Sequence, residues 1–188
     1  LPQNRKRIFI ICFREDLNVQ EFTFPEPTDI QIHLKDILEK NESTEKYEIN
    51  RPDIFFDKNK IDLIEKIEGL NQPIRVGTIN KGGQGERIYS DKGHAITLSA
   101  YGGGAGSKTG AYLIDEKVRK LSPRECARVQ GFPEEYIIPV SDGQAWKQFG
   151  NSIPINVLRY ILKKIEDDHI LDTRLNIRIK PKKKHENI

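Results

Sequence analysis

The sequence contains no methionine, not even at position 1, and among its 188 residues only two cysteines and one tryptophan. Translation needs a start, so the missing methionine leads to the expectation that the chain is a piece of a longer protein, a processed product or the result of a misread gene start. Cys12 and Cys126 are too few for a disulfide scaffold or a cysteine-rich zinc site. A reducing, intracellular compartment is the default for such a chain. No run approaches the roughly 18 consecutive apolar residues of a membrane span. The start, Leu1-Pro2-Gln3-Asn4-Arg5-Lys6-Arg7, offers no apolar core of a signal peptide. His33 and His94 have no neighbouring ligand residues at metal spacing and read as surface or half-buried histidines.

What is present is charge: 31% charged against 36% hydrophobic residues, a polar globular chain long enough for a sizeable core. The net charge of +3 is unevenly placed. Between Arg174 and Ile188 six Lys/Arg face one acid, so this tail carries +5 and residues 1–173 carry −2. Such a tail can follow phosphates by counterion release, or simply be a solvated terminus.

Arg7 to Phe13 is a nearly continuous apolar run of strand length, the pattern of a strand covered on both faces. A lone strand cannot satisfy its edges, so its partner strands are expected outside the chain. Thr28 to Lys40 predicts an amphipathic helix and Lys60 to Leu70 a short second one. Ten of the 14 glycines then fall between Gly77 and Gly110. There, β segments are predicted over Ile74–Ile79, Arg87–Ser90, Ala95–Ser99 and Ala111–Asp115. The clusters Gly82-Gly83-Gln84-Gly85 and Gly102-Gly103-Gly104 exceed what hairpin turns require and suit close approach of the backbone to another molecule. Leu121 to Phe132 has full helix punctuation: Ser122 as N-cap, Pro123 at the first helical position, Glu125 completing a capping box, Gly131 at C′. Cys126 therefore reads as a small packed residue. A last helix is predicted from Pro154 to Ile165, with Asn151-Ser152 at its entrance, placed to cap it or to meet a polar ligand.

Gly103 to Thr109 is not a nucleotide-binding phosphate loop. Ser107 stands where glycine must precede the lysine, and a strand, not a helix, follows. Arg5 and Arg7, two apart on an extended segment at the rim of the predicted strand, point to one face. Guanidinium groups there suit a phosphate or a base carbonyl.

Three stretches, in this order, resemble DNA cytosine-5 methyltransferases. Pro2–Ile8 resembles the eighth motif of the family, Arg119–Pro133 the ninth and Gln148–Pro154 the tenth. The variable region between the first two corresponds to the target-recognition domain, and Lys81–Gly104 is similar to that domain in members that methylate GCGC. The implied fold is α/β, the end of a Rossmann-like methyltransferase catalytic domain plus a small glycine-rich β target-recognition domain, incomplete on its own. The implied organisation is residues 1–27 as the last strand region of the catalytic domain and 28–118 as the recognition domain. Residues 119–170 return to the catalytic domain, and 171–188 form the basic tail.

The resemblance also implies roles. These enzymes swing the target cytosine out of double-stranded DNA, at a cost of a few kcal/mol. Gln84 would fill the vacated stack, with Gly82, Gly83 and Gly85 allowing close approach. Arg87 would read a guanine, Thr97 would hold backbone phosphate, and Tyr101, Gly102 and Gly103 would line the groove. Arg5 and Arg7 would face the flipped base and its phosphate during catalysis. Asn151 and Ser152 would contact the methyl donor, S-adenosyl-L-methionine. Arg119 and the helix after it would support the recognition domain. The family's nucleophile is a cysteine after a proline; Cys12 follows Ile11 and Cys126 follows Glu125, so neither qualifies. The expectation is thus the C-terminal portion of a restriction–modification methyltransferase of the prokaryotic cytoplasm, inactive alone and partnered by an N-terminal half that carries the thiol. The alternatives are a non-catalytic DNA-binding module and a decayed remnant.

Overall fold

A computed structural model of the chain describes residues 1–27, 31–40, 42–67, 70–168 and 170. Its regular elements are β1 (Ile54–Phe56), α1 (Lys58–Ile64), β2 (Arg75–Ile79), β3 (Arg87–Ser90), β4 (Ala111–Ile114), β5 (Lys117–Arg119), α2 (Pro123–Val129), α3 (Asp142–Asn151) and α4 (Ile155–Asp167). The five strands form one sheet in the order β1-β2-β3-β4-β5. All neighbours are antiparallel except β3 and β4, which run parallel with Ile88 opposite Ala111 and Tyr89 opposite Tyr112. A parallel pair needs a long crossover. Here it is the irregular stretch 91–110, so Thr97, Tyr101 and a glycine cluster are delivered to one end of the sheet.

The sheet is covered on both faces. On β4, Ala111 joins a cluster with Ile64 of α1, Val76, Ile79, Ile88 and Val118. The alternate residues Tyr112 and Ile114 enter a second cluster with Leu34, Leu98, Cys126 and Val129 of α2, and Ala145 and Phe149 of α3. Two-residue alternation on a strand thus feeds two cores. Tyr112 is fully buried; its hydroxyl donates to Thr109 O at 2.9 Å and accepts from Ile96 N at 3.1 Å. That pins the crossover at both ends.

Helix α2 matches its predicted punctuation. Ser122 and Glu125 form the capping box and Pro123 is the first helical residue. Gly131, at φ +78°, ends the helix, with Gly131 N donating to Arg128 O and Phe132 N to Ala127 O, a Schellman close.

Several expectations fail. Arg7–Phe13 forms no strand: the segment has no ladder partner among the described residues, with Ile8 90% and Ile10 83% exposed. A strand exists only through a ladder, and among the described residues this region offers a single parallel bridge, Gln3 to Ala95. Within Thr28–Lys40 only Leu34–Ile37 is helical, a short 3-10 turn capped by His33 and Asp36, and the first predicted residues lie outside those described. Ala95–Ser99 is not a strand either. Its N–H groups go to Pro2 O, the Tyr112 hydroxyl, Gln3 Oε1 and Lys108 O, which leaves no ladder. Asn151 and Ser152 do not cap α4, whose N-cap is Pro154. They end α3, a helix the sequence reading misses. The basic tail lies outside the described residues.

Candidate functional site

The hairpin loop between β2 and β3 holds residues 80–86. Its backbone turns on Asn80 and Gly82, both in the left-handed region, and Glu86 ties it: Oε2 accepts from Gly83 N at 3.1 Å and Oε1 from Asn80 Nδ2 at 3.3 Å. The loop leans on the second glycine cluster. Gly106 N donates to Gly85 O at 2.8 Å, and a Cβ on Gly85 or Gly104 would drive into the other loop's backbone. These glycines are therefore required by loop-on-loop packing. Gly103 is exposed with open space around it, so no internal contact accounts for it; Gly83 is exposed too, and a Cβ there would meet only Glu86 Oε2, at an ordinary 3.4 Å.

Next to this junction is a hollow of about 350 Å³, lined by Gln84, Gly85, Arg87, Tyr89, Ile96, Thr97 and Gly110. The fold brings Gln84 and Arg87 of one hairpin and Thr97 of the crossover to one place. Gln84 is exposed, and its amide has no hydrogen bond among the described residues. Among the described residues Arg87 donates only through Nε, to Gly82 O at 3.4 Å, and its two terminal nitrogens have no partner there. Thr97 Oγ1 donates to Asn4 O at 2.6 Å. Tyr101 stands beside the glycine cluster, 71% exposed, with Lys147 Nζ of α3 5.1 Å from its ring centre.

Arg5 and Arg7 part company. Arg5 turns inward and ties the N-terminal segment to the crossover and to the end of α3: Nη1 donates to Leu98 O at 3.1 Å, and Nη2 to Gly150 O at 3.3 Å and Ser152 O at 2.9 Å. Burial, then the charge of Arg7, holds its pKa below the usual arginine value. Arg7 is exposed and donates to Lys6 O. Asn151 is exposed, and Ser152 is half-buried with its hydroxyl on Ile153 O. Arg119 is buried against Glu125 in a two-pronged pair at 2.7 and 2.8 Å.

Tyr89, Ile96 and helix α3 are not among the features the sequence nominates. The two-residue offset of Tyr89 from Arg87 was an available signal, since strand neighbours two apart share a face. Cys126 is fully buried, and burial and Glu125 push its thiol well above the usual range, whereas Cys12 is exposed. A thiol-reactive aromatic disulfide should therefore label one cysteine per native chain, and two after denaturation. Two fast-reacting thiols in the native protein would show that α2 is not packed as described.

Residues 1–167 match the sequence profile of the C-5 cytosine-specific DNA methylases. The chain is 51% identical over 161 residues to the type II methyltransferase M.HhaI of Haemophilus parahaemolyticus, covering 86% of this chain and 48% of that protein. It is 38% identical over 167 residues to M.DsaV of Dactylococcopsis salina, covering 88% of this chain and 44% of that one. In fold it is similar to the Entamoeba histolytica methyltransferase EhMeth, with a TM-score of 0.50 at 17% identity, over 79% of this chain and 44% of EhMeth. The chain spans about half the length of the curated relatives it matches.

Proposed function

Because this chain belongs to the C-5 cytosine-specific DNA methylases, we propose that it is the target-recognising, C-terminal portion of a restriction–modification enzyme that methylates cytosine C5 at a short G/C-containing site, GCGC being the favoured sequence. Residues 28–118 form the recognition domain, and 1–27 and 119–170 belong with the catalytic domain. The reading is carried by the convergence of Gln84, Arg87 and Thr97 on one hollow.

In this reading Gln84 enters the base stack where the cytosine has swung out, and its free amide pairs with the orphaned guanine. Arg87 directs its free Nη groups at the O6 and N7 acceptors of a guanine, a pairing worth about 1–3 kcal/mol of discrimination. Thr97 exchanges its bond to Asn4 O for a phosphate oxygen. Gly103, with open space at Cα, and Gly83, exposed on its loop, let the backbone reach the duplex, and Tyr101 and Gly102 line the groove. Arg7, exposed, meets phosphate. Arg5 orders the Leu98 and Ser152 backbone and keeps Nε, which has no partner among the described residues, for the flipped base.

The methyl group comes from S-adenosyl-L-methionine. Asn151 and Ser152 fit one edge of its site: the Asn151 amide is exposed and the Ser152 hydroxyl carries only a long bond, while the Ser152 carbonyl is taken by Arg5. Cys126 is buried and protonated, and Cys12 does not follow a proline, so the nucleophilic thiol comes from a companion segment.

The test is Arg87→Ala, measured as affinity of the chain for a series of duplexes. Discrimination against the wrong base at one position should fall roughly 5- to 150-fold, the equivalent of 1–3 kcal/mol. The dependence of binding on salt should change by no more than one phosphate equivalent. Equal weakening on every duplex would remove the base-reading role.

A further inference from the structure

Resting on the recognition reading above, we propose that Tyr89 is a second base-reading residue of the hollow. Its phenolic oxygen accepts a hydrogen bond from the 4-amino group of a cytosine within two base steps of the guanine held by Arg87.

Tyr89 and Arg87 are alternate residues of β3, so both side chains leave the same face, and both line the hollow. Their separation along the strand is about 7 Å, close to two base steps when the strand lies along a groove. The ring of Tyr89 is held against Tyr112, with centroids 6.2 Å apart and planes tilted 42°, and the two residues are register partners across the parallel pair. Tyr112 is fully buried with its hydroxyl bonded twice. The Tyr89 ring is therefore fixed before any ligand arrives, which lowers the ordering cost of a contact.

The hydroxyl itself is idle. The hydroxyls of Tyr47 and Tyr112 donate to Asp142 and Thr109 O, at 2.8 and 2.9 Å. That of Tyr89, on a half-buried residue, has no partner among the described residues. Open to solvent, it is available both to donate to and to accept from a ligand. The chemistry of the hollow also lacks what Tyr89 offers. A guanidinium has no acceptor, so Arg87 reads carbonyl and ring-nitrogen edges and not an amino group. Thr97 is assigned to a backbone phosphate, and Gln84 to the vacated stack. The apolar side chain of Ile96 beside Tyr89 sheds water, so an unmatched amino group there has no substitute partner.

Tyr89→Phe removes one oxygen and keeps the ring against Tyr112, so thermal unfolding should be unchanged. Affinity is measured for a GCGC duplex and for duplexes in which each cytosine in turn is replaced by pyrimidin-2-one, which lacks the 4-amino group. The wild-type chain should lose about threefold to tenfold at one of these cytosines, the scale of one neutral hydrogen bond. Tyr89→Phe should bind the natural duplex as weakly as the wild type binds that analogue, and should lose nothing further on it. If the two losses simply multiply, or if Tyr89→Phe binds the natural duplex like wild type, the proposal is overturned. The recognition reading survives that outcome provided Arg87→Ala still relaxes base choice. A wild-type chain that binds GCGC and scrambled duplexes alike overturns both.

Discussion

Replacing Glu125 by alanine should lower the stability of the chain by about 3–5 kcal/mol, the range for removing one partner of a buried ion pair. Glu125 is completely buried and its carboxylate serves four donors at once. It takes Arg119 Nη1 and Nη2 at 2.8 and 2.7 Å, Ser122 N at 2.8 Å and Glu39 N at 2.9 Å. Ser122 Oγ in turn bonds the carboxylate of Glu39. Alanine leaves a guanidinium, 4% exposed, without its counter-charge and strands two backbone N–H groups. The site also joins β5, α2 and the 39–40 segment, so the loss spreads across the second core. At roughly 2–4 °C per kcal/mol for a chain of this size, the midpoint of thermal unfolding should fall by on the order of 10 °C. Glu125→Gln keeps an acceptor and a similar volume and should lose less. An alanine variant that melts within 2 °C of wild type, roughly one kcal/mol, would mean the pair is not buried as described.

Glycines in one helix should respond with opposite signs. Gly143 and Gly150 both lie in α3. Alanine is favoured over glycine in a helix by about 0.8–1.0 kcal/mol, and nothing lies near the position of a Gly143 Cβ. Gly143→Ala should therefore stabilise slightly. At Gly150 the same Cβ would press on the Ser99–Ala100 backbone, 2.6 Å from Ser99 O, where no side chain can rotate away. Overpacking of this kind costs about 1–3 kcal/mol or more, enough to outweigh the helix gain. Gly150 O is also an acceptor of the Arg5 clamp, so displacing α3 loosens Arg5, Ser152 and the crossover before Tyr101 together. The expected result of Gly150→Ala is a clearly lower unfolding midpoint and faster hydrogen exchange around residues 98–101. Equal effects of the two substitutions on melting would count against the close approach of α3 to the crossover.

Helix α2 is readable from sequence because its signals act within one turn. Ser122, Pro123, Glu125 and Gly131 satisfy or terminate backbone groups a few residues away, whatever surrounds them. Strands β2, β3 and β4 are readable for a similar reason, as short alternating segments marked off by glycine. Strand β5 escapes because its hairpin turns on Asp115 and Glu116, both at positive φ, where glycine or asparagine is the usual signal. Helix α3 escapes because Gly143 and Gly150 weaken its propensity, and the reason for Gly150 is a packed neighbour 50 residues earlier. The run Arg7–Phe13 has every local mark of a buried strand and is not one here, since a ladder requires a second segment.

The candidate site divides along the same line. The glycine clusters stand out in the sequence itself, and Gln84, Arg87 and Thr97 are nominated by the resemblance of the stretch around them to a cytosine-5 methyltransferase recognition domain, which the linear sequence carries. Their gathering round one hollow with Tyr89 and Ile96 comes from the parallel pairing of β3 with β4 and from Tyr112 pinning the crossover, contacts between residues far apart in the chain. Arg5 shows the difference most plainly: its residue type promises a cation at a strand rim, while three distant carbonyls turn most of that cation into a clamp. Short-range hydrogen bonding and backbone preference are written into neighbouring residues. Proximity of distant groups depends on burial and register, which exist only once the chain has folded.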